Sequence, residues 1–332
     1  IIMALVPSYI QRLANYKAGK PISEAQRELG IQDFIKLASN ENPLGPSPKG
    51  MVAIQNSLKN LHRYPDATGY ELRTKLAKRF NIKMENVVLG AGSEGIMSTI
   101  MRTFLLSDDE LISAANSFIG FRVLANASGR RVHWVPMKNY RYDLEAMAAK
   151  ITDYTKIIYI ANPDNPIGTT ITRQEFDEFY THVPERVLII LDEAYYEFAQ
   201  DSPDYPDSMS YRYDNVITLR TFSKAYGLAG IRVGYTISSP EIAAKIRSTA
   251  MSWISGVGLA AAIGCYNDTA FLDYSKAKIV EARDMVATTC DALGMEFLPS
   301  QTNFVYFKSG LPANDLHEKL AAKNIQIRGQ YM

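Results

Sequence analysis

The chain has 332 residues, of which 47% are hydrophobic and 21% charged, and its formal net charge is +1. This composition is typical of a soluble globular protein large enough for two domains, and the balanced charge argues against nucleic acid or an anionic membrane as a partner. The two cysteines are too few for a disulfide framework, and the four histidines lack the spacing of a metal site. No apolar run is long enough to span a membrane and no signal peptide is recognisable, so we expect a cytoplasmic protein.

The first 50 residues are predicted to form an irregular arm that packs with a small domain at the other end of the chain. Residues 35–48 indicate a short strand followed by a loop that three prolines stiffen. A helix is predicted over residues 50–61. Pro65 disfavours helical backbone at Tyr64, so this tyrosine is predicted to be extended and to expose its ring, unless it packs at the turn.

Residues 87–96 combine a short apolar strand, a glycine-rich turn and the start of a helix. Backbone N–H groups in such a turn can bind a phosphate together with the positive end of the helix dipole. The glycines at positions 90, 92 and 95 match neither a Walker motif nor a dinucleotide-binding motif. Ser93 is equally consistent with a simple helix N-cap. The turn therefore predicts a phosphate site only in combination with other features.

Apolar strands alternate with amphipathic helices through the middle of the chain. This alternation favours an α/β fold with a mostly parallel sheet covered on both faces, and we assign residues 51–240 to this large domain. Ligands of such sheets bind beyond the carboxyl ends of the strands. Asn165, Asp192 and Lys224 each follow a strand, so we expect them to lie close together. The predicted strands cover residues 111–114, 131–135, 156–161, 187–191 and 216–219.

Lys224 and Asp192 have the chemistry of a pyridoxal phosphate site. A lysine at the mouth of a buried strand is partly removed from water, which lowers its pKa, and the free amine can form a Schiff base with a carbonyl. Asp192 follows an apolar strand, so its carboxylate needs a partner, and the protonated pyridine nitrogen of the cofactor is a suitable one. Tyr195 and Asn165 are candidates to bind the phenolic oxygen of the cofactor. Alternatively, Lys224 is a solvated surface lysine and Asp192 caps a turn.

The last third of the chain has a different character. The strand over 216–219 is expected to end before Arg220, and another strand to cover 232–237. Beyond Pro240 helices predominate, with strands predicted only over 303–307 and 325–328. The pattern predicts a second, smaller α/β domain over residues 241–332. The predicted helices cover residues 241–251, 259–267, 271–293 and 313–323.

Nine segments in order along residues 7–330 resemble the histidinol-phosphate aminotransferase family, within the fold-type I pyridoxal-phosphate aminotransferases. Each segment is a modest signal alone, but nine in register are specific for the superfamily. The resemblance implies a large domain with a mostly parallel central sheet and a smaller C-terminal α/β domain. The segments are ANYKAGKPI, KLASNENPLGPSP, RYPDATGYELR, GAGSEGI, NPDNPIGT, LDEAYYEF, RTFSKAYGLAGIRVGY, TNFVYF and IQIRGQ.

The resemblance also assigns roles in a pyridoxal phosphate site. Lys224 would form the Schiff base and shuttle the proton, and Asp192 would pair with the pyridine nitrogen. Phe118 would stack on the ring, while Tyr195 and Asn165 would bind its phenolic oxygen. Lys224, Asp192 and Tyr195 are therefore the expected catalytic residues. The cofactor phosphate would be held by Gly92, Ser93, Glu94, Ser223 and Arg232.

A homodimer is implied as well, because Tyr64 would reach the cofactor phosphate of the neighbouring subunit. Tyr16, Asn40 and Arg328 match positions that the family uses around the substrate, with Arg328 at the substrate phosphate. The implied partners are small molecules, namely an amino donor and a 2-oxo acid.

Two departures from the family pattern concern the substrate. The family continues past the strand that carries Arg328 to a further arginine, which binds the α-carboxylate, whereas this sequence ends at Met332. An amino acid substrate would lose a bidentate contact without that arginine, so we expect a tail beyond this sequence to carry it. Residues 251–258, MSWISGVG, stand where relatives have a stretch with proline and asparagine. This difference leaves the substrate open.

The expected activity is a ping-pong transamination between an amino donor and 2-oxoglutarate. Histidinol phosphate is the leading donor, and an aromatic amino acid is the alternative. Two other classes of function remain open, namely a lyase on the same fold, such as a threonine-phosphate decarboxylase, and a non-catalytic binding protein.

Overall fold

The computed structural model of the protein describes residues 5–13, 26–27, 35–211, 213–250 and 253–328. In this part of the chain the strands are β1 Ile35–Leu37, β2 Val87–Gly90, β3 Glu110–Ala114, β4 Arg131–Val135, β5 Thr155–Ala161, β6 Leu188–Asp192, β7 Val216–Thr221, β8 Gly234–Ile237, β9 Phe297–Leu298, β10 Tyr306–Phe307 and β11 Ile325–Ile327. The α-helices of the same part are Ser8–Gln11, Pro48–Ser57, Tyr70–Phe80, Gly92–Phe104, Ile119–Ala127, Leu144–Ala148, Arg173–Tyr180, Tyr196–Ala199, Ser208–Tyr211, Pro240–Thr249, Gly256–Tyr266, Thr269–Ala292 and Ala313–Ala321.

The centre of the molecule is a seven-stranded sheet in the order β2-β8-β7-β6-β5-β3-β4. The pairs from β7 through β6, β5 and β3 to β4 are all parallel. Strand β8 is antiparallel to both of its neighbours, β7 and β2. Strand β2 therefore points the same way as the parallel strands, and the loops that follow β2, β3, β5, β6 and β7 all emerge at one edge.

Helices cover both faces of this sheet, because successive side chains of each strand point to opposite sides. On one face Ile157, Tyr159 and Ala161 of β5 pack in a cluster with the helices Gly92–Phe104 and Pro240–Thr249. The residues between them face a second cluster, which includes Phe176 and Phe179. The predicted α/β fold with a mostly parallel, doubly covered sheet is confirmed.

Three of the predicted strands have a boundary that differs from the prediction by two residues or more. Strand β7 does not end before Arg220 but continues to Thr221, because the buried guanidinium of Arg220 finds the carboxylate of Glu193 at 2.7 Å. Strand β8 begins at Gly234 rather than at Arg232, whose φ of 61° is left-handed and incompatible with a strand. Strand β10 contains only Tyr306 and Phe307, because the preceding backbone turns so that the Phe304 N–H bonds the Thr302 hydroxyl.

Two smaller sheets lie outside the central one. Strand β1 pairs in parallel with β11, with Ile35 opposite Ile325, and β9 pairs antiparallel with β10. The helix Gly256–Tyr266 packs closely on the helix Pro48–Ser57. The division into an arm over 1–50, a large domain over 51–240 and a small domain over 241–332 stays a prediction.

None of the helices in the described part of the chain combines the length and apolar character needed to cross a membrane.

Candidate active site

The carboxyl edge of the central sheet gathers the polar residues that follow β5, β6 and β7. Asp192 ends β6, Asn165 lies four residues after β5, and Lys224 lies three residues after β7. Since β6 lies between β5 and β7, the three positions adjoin at the same edge, as the sequence predicts.

Asp192 is a buried carboxylate held by two donors. Its side chain is 3% exposed. The Tyr159 hydroxyl donates to Oδ2 at 2.8 Å, and the Ala194 N–H donates to Oδ1 at 3.2 Å. Burial raises the pKa of Asp192 to about 6, although both hydrogen bonds oppose this rise. Such a carboxylate gains when a positive charge is placed against it.

Lys224 is half-buried, and burial lowers the pKa of its amine to about 8. The charges of Glu41, Glu94 and Asp192 oppose this shift, while that of Arg232 adds to it. The Lys224 Nζ lies 5.6 Å from the centroid of the Tyr195 ring. About a tenth of the amine is therefore neutral at pH 7, far more than for an ordinary lysine, and this form can act as a nucleophile.

The Tyr195 hydroxyl is a meeting point of two chain segments. It accepts a hydrogen bond from Asn165 Nδ2 and another from Asn40 Nδ2, each at 3.1 Å. Asn40 has a left-handed φ of 54°, and its carbonyl accepts from Asn303 Nδ2 at 3.0 Å. Because both amides donate to the Tyr195 oxygen, they fix the position of this hydroxyl between the two segments.

The glycine-rich turn and Arg232 lie together at one corner of the site. The helix Gly92–Phe104 begins after Ala91, and among the described residues no side chain caps this end. Arg232 Nη1 lies 3.5 Å from the Ser223 hydroxyl, and its Nη2 lies 3.5 Å from the Glu94 carboxylate. Gly92 has a φ of +73°, and a Cβ there would lie 2.6 Å from Arg232 Nη2. Ser93 belongs to the first turn of the helix and is not its N-cap.

Phe118 borders the same corner. It directly precedes the helix Ile119–Ala127, and a Cβ on Gly120 would lie 2.5 Å from the Phe118 ring and 2.9 Å from Glu94 Oε1. The lack of a side chain at Gly120 thus lets the phenylalanine ring lie beside the turn.

Two other predicted residues lie elsewhere in the described part of the chain, and a third lies outside it. Tyr64 lies on the surface, where it is 90% exposed and meets the Trp253 ring edge-on with 5.8 Å between centroids. Arg328 is half-buried directly after β11, beside the pair that β11 forms with β1. Tyr16 lies outside the described residues.

Several residues near the site were missed by the sequence analysis. Tyr159 donates a hydrogen bond to Asp192, but it lies in an apolar strand, and no neighbouring residue in the sequence indicates a polar partner. The sequence predicts Arg220 just beyond its strand, yet the residue is buried against Glu193 and contacts Asp207 at 3.0 Å. Asn42 donates to the Ala225 carbonyl at 3.0 Å and thereby fixes the backbone next to Lys224. Its place at the end of the polar run SNEN, directly before Pro43, was the one available signal.

Comparison with known proteins agrees with this geometry. Residues 32–331 match the family model of the class I and II aminotransferases. The chain is 39% identical over 331 residues to a histidinol-phosphate aminotransferase from an Anaeromyxobacter species, covering 98% of this chain and 91% of that protein. It is 38% identical over 321 residues to histidinol-phosphate aminotransferase 1 of Mannheimia succiniciproducens, covering 96% and 88% of the two chains.

A solved structure shows the same fold. It is the histidinol-phosphate aminotransferase of Sinorhizobium meliloti in complex with pyridoxal-5'-phosphate, which superposes with a TM-score of 0.88 at 30% identity and covers 98% of this chain and 89% of that one. The family, the sequence identities and the shared fold lead to one conclusion: the chain belongs to the class I and II aminotransferases, and within them to the histidinol-phosphate aminotransferase family.

Proposed function

We propose that the protein transfers the amino group of histidinol phosphate to 2-oxoglutarate with pyridoxal phosphate as its cofactor. The observation that carries the proposal is that a half-buried lysine, Lys224, and a buried carboxylate, Asp192, follow neighbouring strands at the same edge of one sheet. The names of the relatives support histidinol phosphate as the donor.

The residues present fit the cofactor at each of its ends. The uncapped start of the helix Gly92–Phe104, the bare Cα of Gly92 and the Arg232 guanidinium suit a phosphate dianion. The buried Asp192 suits a protonated ring nitrogen, since the ion pair would offset the cost of burying its charge. Ser93, Glu94 and Ser223 complete the proposed phosphate site.

When bound, pyridoxal phosphate supplies an electron sink for negative charge that develops at the α-carbon of the substrate. Asp192 would hold positive charge at the ring nitrogen, and Phe118 would cover the ring. Lys224 would bind the cofactor covalently and then move a proton at its Nζ. Tyr195, which receives hydrogen bonds from Asn165 and Asn40, would direct its own proton to the phenolic oxygen.

The substrate is proposed to lie between the arm and the end of the chain. Asn40 and Arg328 follow the paired strands β1 and β11, and Asn40 donates to the Tyr195 hydroxyl at 3.1 Å. Together with Tyr16 they are the proposed substrate contacts.

The active unit is proposed to be a homodimer. Tyr64 and Trp253 contact each other and are exposed, and the apolar side chains Val52, Leu58 and Leu61, which precede Tyr64 in the chain, are exposed as well. Covering these side chains with a second subunit would remove apolar surface from water and would bring Tyr64 to the neighbouring phosphate site. The two cysteines are free and buried, which suits the proposed cytoplasmic location.

The function is tested with the purified protein, pyridoxal phosphate and 2-oxoglutarate. Histidinol phosphate is compared with phenylalanine and tyrosine as donors, and glutamate formation is measured. The proposal expects the highest kcat/KM for histidinol phosphate. A preference for the aromatic amino acids would refute the substrate, and release of carbon dioxide from an amino-acid phosphate would favour a lyase.

The role of Lys224 is tested by Lys224→Ala with the exposed Lys245→Ala as the matched control. Lys224→Ala is expected to lose covalently retained cofactor and to abolish turnover, because the amine that binds the cofactor is gone. Lys245→Ala is expected to behave like the wild type. Transamination retained by Lys224→Ala would refute the assignment.

A further inference from the structure

A buried chain of hydrogen bonds runs beside the site and ends at Asp164. This carboxyl group is fully buried, with 0% exposure. The Ser117 hydroxyl donates to Oδ1 at 2.6 Å, and the Ile167 N–H donates to Oδ2 at 3.2 Å. Behind Ser117 lies the Tyr142 hydroxyl at 2.6 Å, which in turn accepts from the Ala161 N–H at 2.9 Å.

The hydrogen bonds in this series all run in one direction. The Ser117 hydroxyl donates its single proton to Asp164, so its oxygen accepts the proton of Tyr142. Tyr142 has then used its own proton and accepts from Ala161. Every donor thus points toward Asp164, and both of its carboxyl oxygens accept a hydrogen bond. An ionised carboxylate, which has no proton to donate, suits this arrangement.

The chain connects three segments that reach the site. Ser117 directly precedes Phe118. Ala161 ends β5, and Asp164 lies in the turn that carries Asn165, the amide that donates to Tyr195 at 3.1 Å. A shift of the carboxyl group would therefore move the proposed ring-stacking residue and the proposed phenolic-oxygen contact relative to each other.

Keeping an acid at this place has a cost. Burial raises the pKa of Asp164 to about 7, against the effect of its hydrogen bonds. The titratable groups whose pKa values its charge influences are Tyr142 and Tyr159, and Asp192 acts on the same two phenols. A neutral residue would avoid the desolvation of a carboxylate, so the acid at this position calls for a role that a neutral side chain cannot fill.

We propose that Asp164 is a positioning residue, which through Ser117 and the backbone of Ile167 fixes Phe118 and Asn165 at opposite sides of the cofactor site. The proposal rests on the proposed function, because it concerns how this chain holds pyridoxal phosphate. Asp164 acts through other residues and not by contact with the cofactor.

The test compares Asp164→Asn with Asp273→Asn, which makes the same chemical change at an exposed position on the helix Thr269–Ala292. An amide has the shape of the carboxyl group but cannot accept from both Ser117 and Ile167. Asp164→Asn is expected to raise the dissociation constant for pyridoxal phosphate about tenfold. It is also expected to raise the pH at which the absorption of bound cofactor changes. Asp273→Asn is expected to change neither.

A double-mutant cycle identifies the route of the effect. In an Asn165→Ala background, Asp164→Asn is expected to shift the absorption titration no further, because its effect passes through Asn165. Ser117→Ala keeps the carboxylate and removes its short donor, so it is expected to cause the same shift at reduced size. If Asp164→Asn does not fold, Ser117→Ala is used in its place to test the proposal.

The cofactor-free protein gives an independent readout. Because the folded pKa of about 7 lies above the ordinary value of 3.8, this group makes the fold less stable as pH rises from about 4 to 7. Thermal melts are expected to show that Asp164→Asn lacks this decline. A variant that is less stable but keeps wild-type cofactor affinity and absorption would overturn the positioning role, while a wild type that fails to bind pyridoxal phosphate would overturn the proposed function itself.

Discussion

Asp192 shows two opposing effects at the scale of one residue. Burial raises its pKa to about 6, and the Tyr159 hydroxyl limits that rise by donating at 2.8 Å. The ring of Tyr159 is itself stacked on Phe121 with 4.0 Å between centroids, so the hydroxyl has little freedom to move. The negative charge of Asp192, which is proposed to hold the cofactor ring, thus depends on Tyr159, a residue within strand β5 and not after one.

Tyr159→Phe is expected to weaken pyridoxal phosphate binding between about tenfold and a hundredfold, as loss of a hydrogen bond to a charged group implies. The dissociation constant is measured by equilibrium dialysis against the cofactor. Tyr180→Phe is the control, because the Tyr180 hydroxyl bonds Asn215 instead. Equal affinities for the two variants would show that Tyr159 does not sustain the Asp192 charge.

The lowered pKa of Lys224 predicts how cofactor uptake depends on pH. The neutral amine is the reactive form, so the rate at which cofactor-free protein binds pyridoxal phosphate should rise about tenfold per pH unit below pH 8 and level off above it. Rapid-mixing absorbance across this range measures the rate, and a rate that does not depend on pH would contradict Lys224 as the nucleophile.

The same lowered pKa affects the stability of the protein. The folded pKa lies below 10.5, so this group makes the protein more stable as pH rises from about 8 to 10.5. Thermal melts of Lys224→Met should lack that rise.

The site residues that sequence reasoning could predict have a common origin. Asn165, Asp192 and Lys224 follow apolar strands, and the parallel arrangement brings such positions together. Tyr159 and Arg220 could not be predicted, because their partners lie on neighbouring strands and one sequence does not give the strand order. An arginine inside a strand is ordinarily taken as exposed, and only the facing Glu193 changes that expectation.

At the scale of elements, the start of the helix Gly92–Phe104 depends on a glycine for two reasons. The φ of +73° disfavours any residue with a side chain, and a Cβ would push against the Arg232 guanidinium at 2.6 Å. Gly234 approaches the same turn, since a Cβ there would lie 3.0 Å from the Ser93 nitrogen. Strand β8 and the turn are therefore packed backbone to backbone.

Gly92→Ala separates these two reasons when it is compared with Gly310→Ala. Gly310 has a similar φ of +74°, but no atom lies within 4 Å of a Cβ built there. Both changes should cost about 1 kcal/mol of stability from backbone strain. Gly92→Ala alone should displace Arg232 and weaken phosphate binding, which titration with pyridoxal phosphate measures. Similar cofactor affinity in the two variants would argue against the proposed anion corner.

The strands themselves were predicted within one or two residues for most of the central sheet, because continuous apolar runs are distinctive. The order of the strands was not predicted, and neither was the reversed direction of β8. Both depend on which distant segments form hydrogen bonds, for example Thr218 opposite Ile237. Periodicity within one segment carries no information about such pairing.

At the scale of the whole molecule, the proposed dimer predicts that an impaired variant and an inactive variant together recover activity. Tyr64→Ala should raise the activation free energy by about 1.5 to 3 kcal/mol, because a hydrogen bond from its hydroxyl to the neighbouring phosphate is lost. Lys224→Ala should be inactive. In a mixed dimer, one site then combines an intact Lys224 from one subunit with an intact Tyr64 from the other.

Random mixing of the two variants should therefore recover about a quarter of the wild-type activity, because half of the dimers are mixed and each has one intact site. Activity is assayed after the subunits are exchanged, with each variant alone as the control. If Tyr64 served its own subunit, mixing would recover nothing.

The pairing of β1 with β11 has a consequence for the order in which the protein is completed during synthesis. Ile35 leaves the ribosome early, but its partner Ile325 is added only 290 residues later. Asn40 follows β1 closely, so the amide that reaches Tyr195 is anchored only after Ile325 has been made. A nascent chain can thus bring Asp192 and Lys224 together at the edge of the central sheet before Asn40 is held in place beside Tyr195.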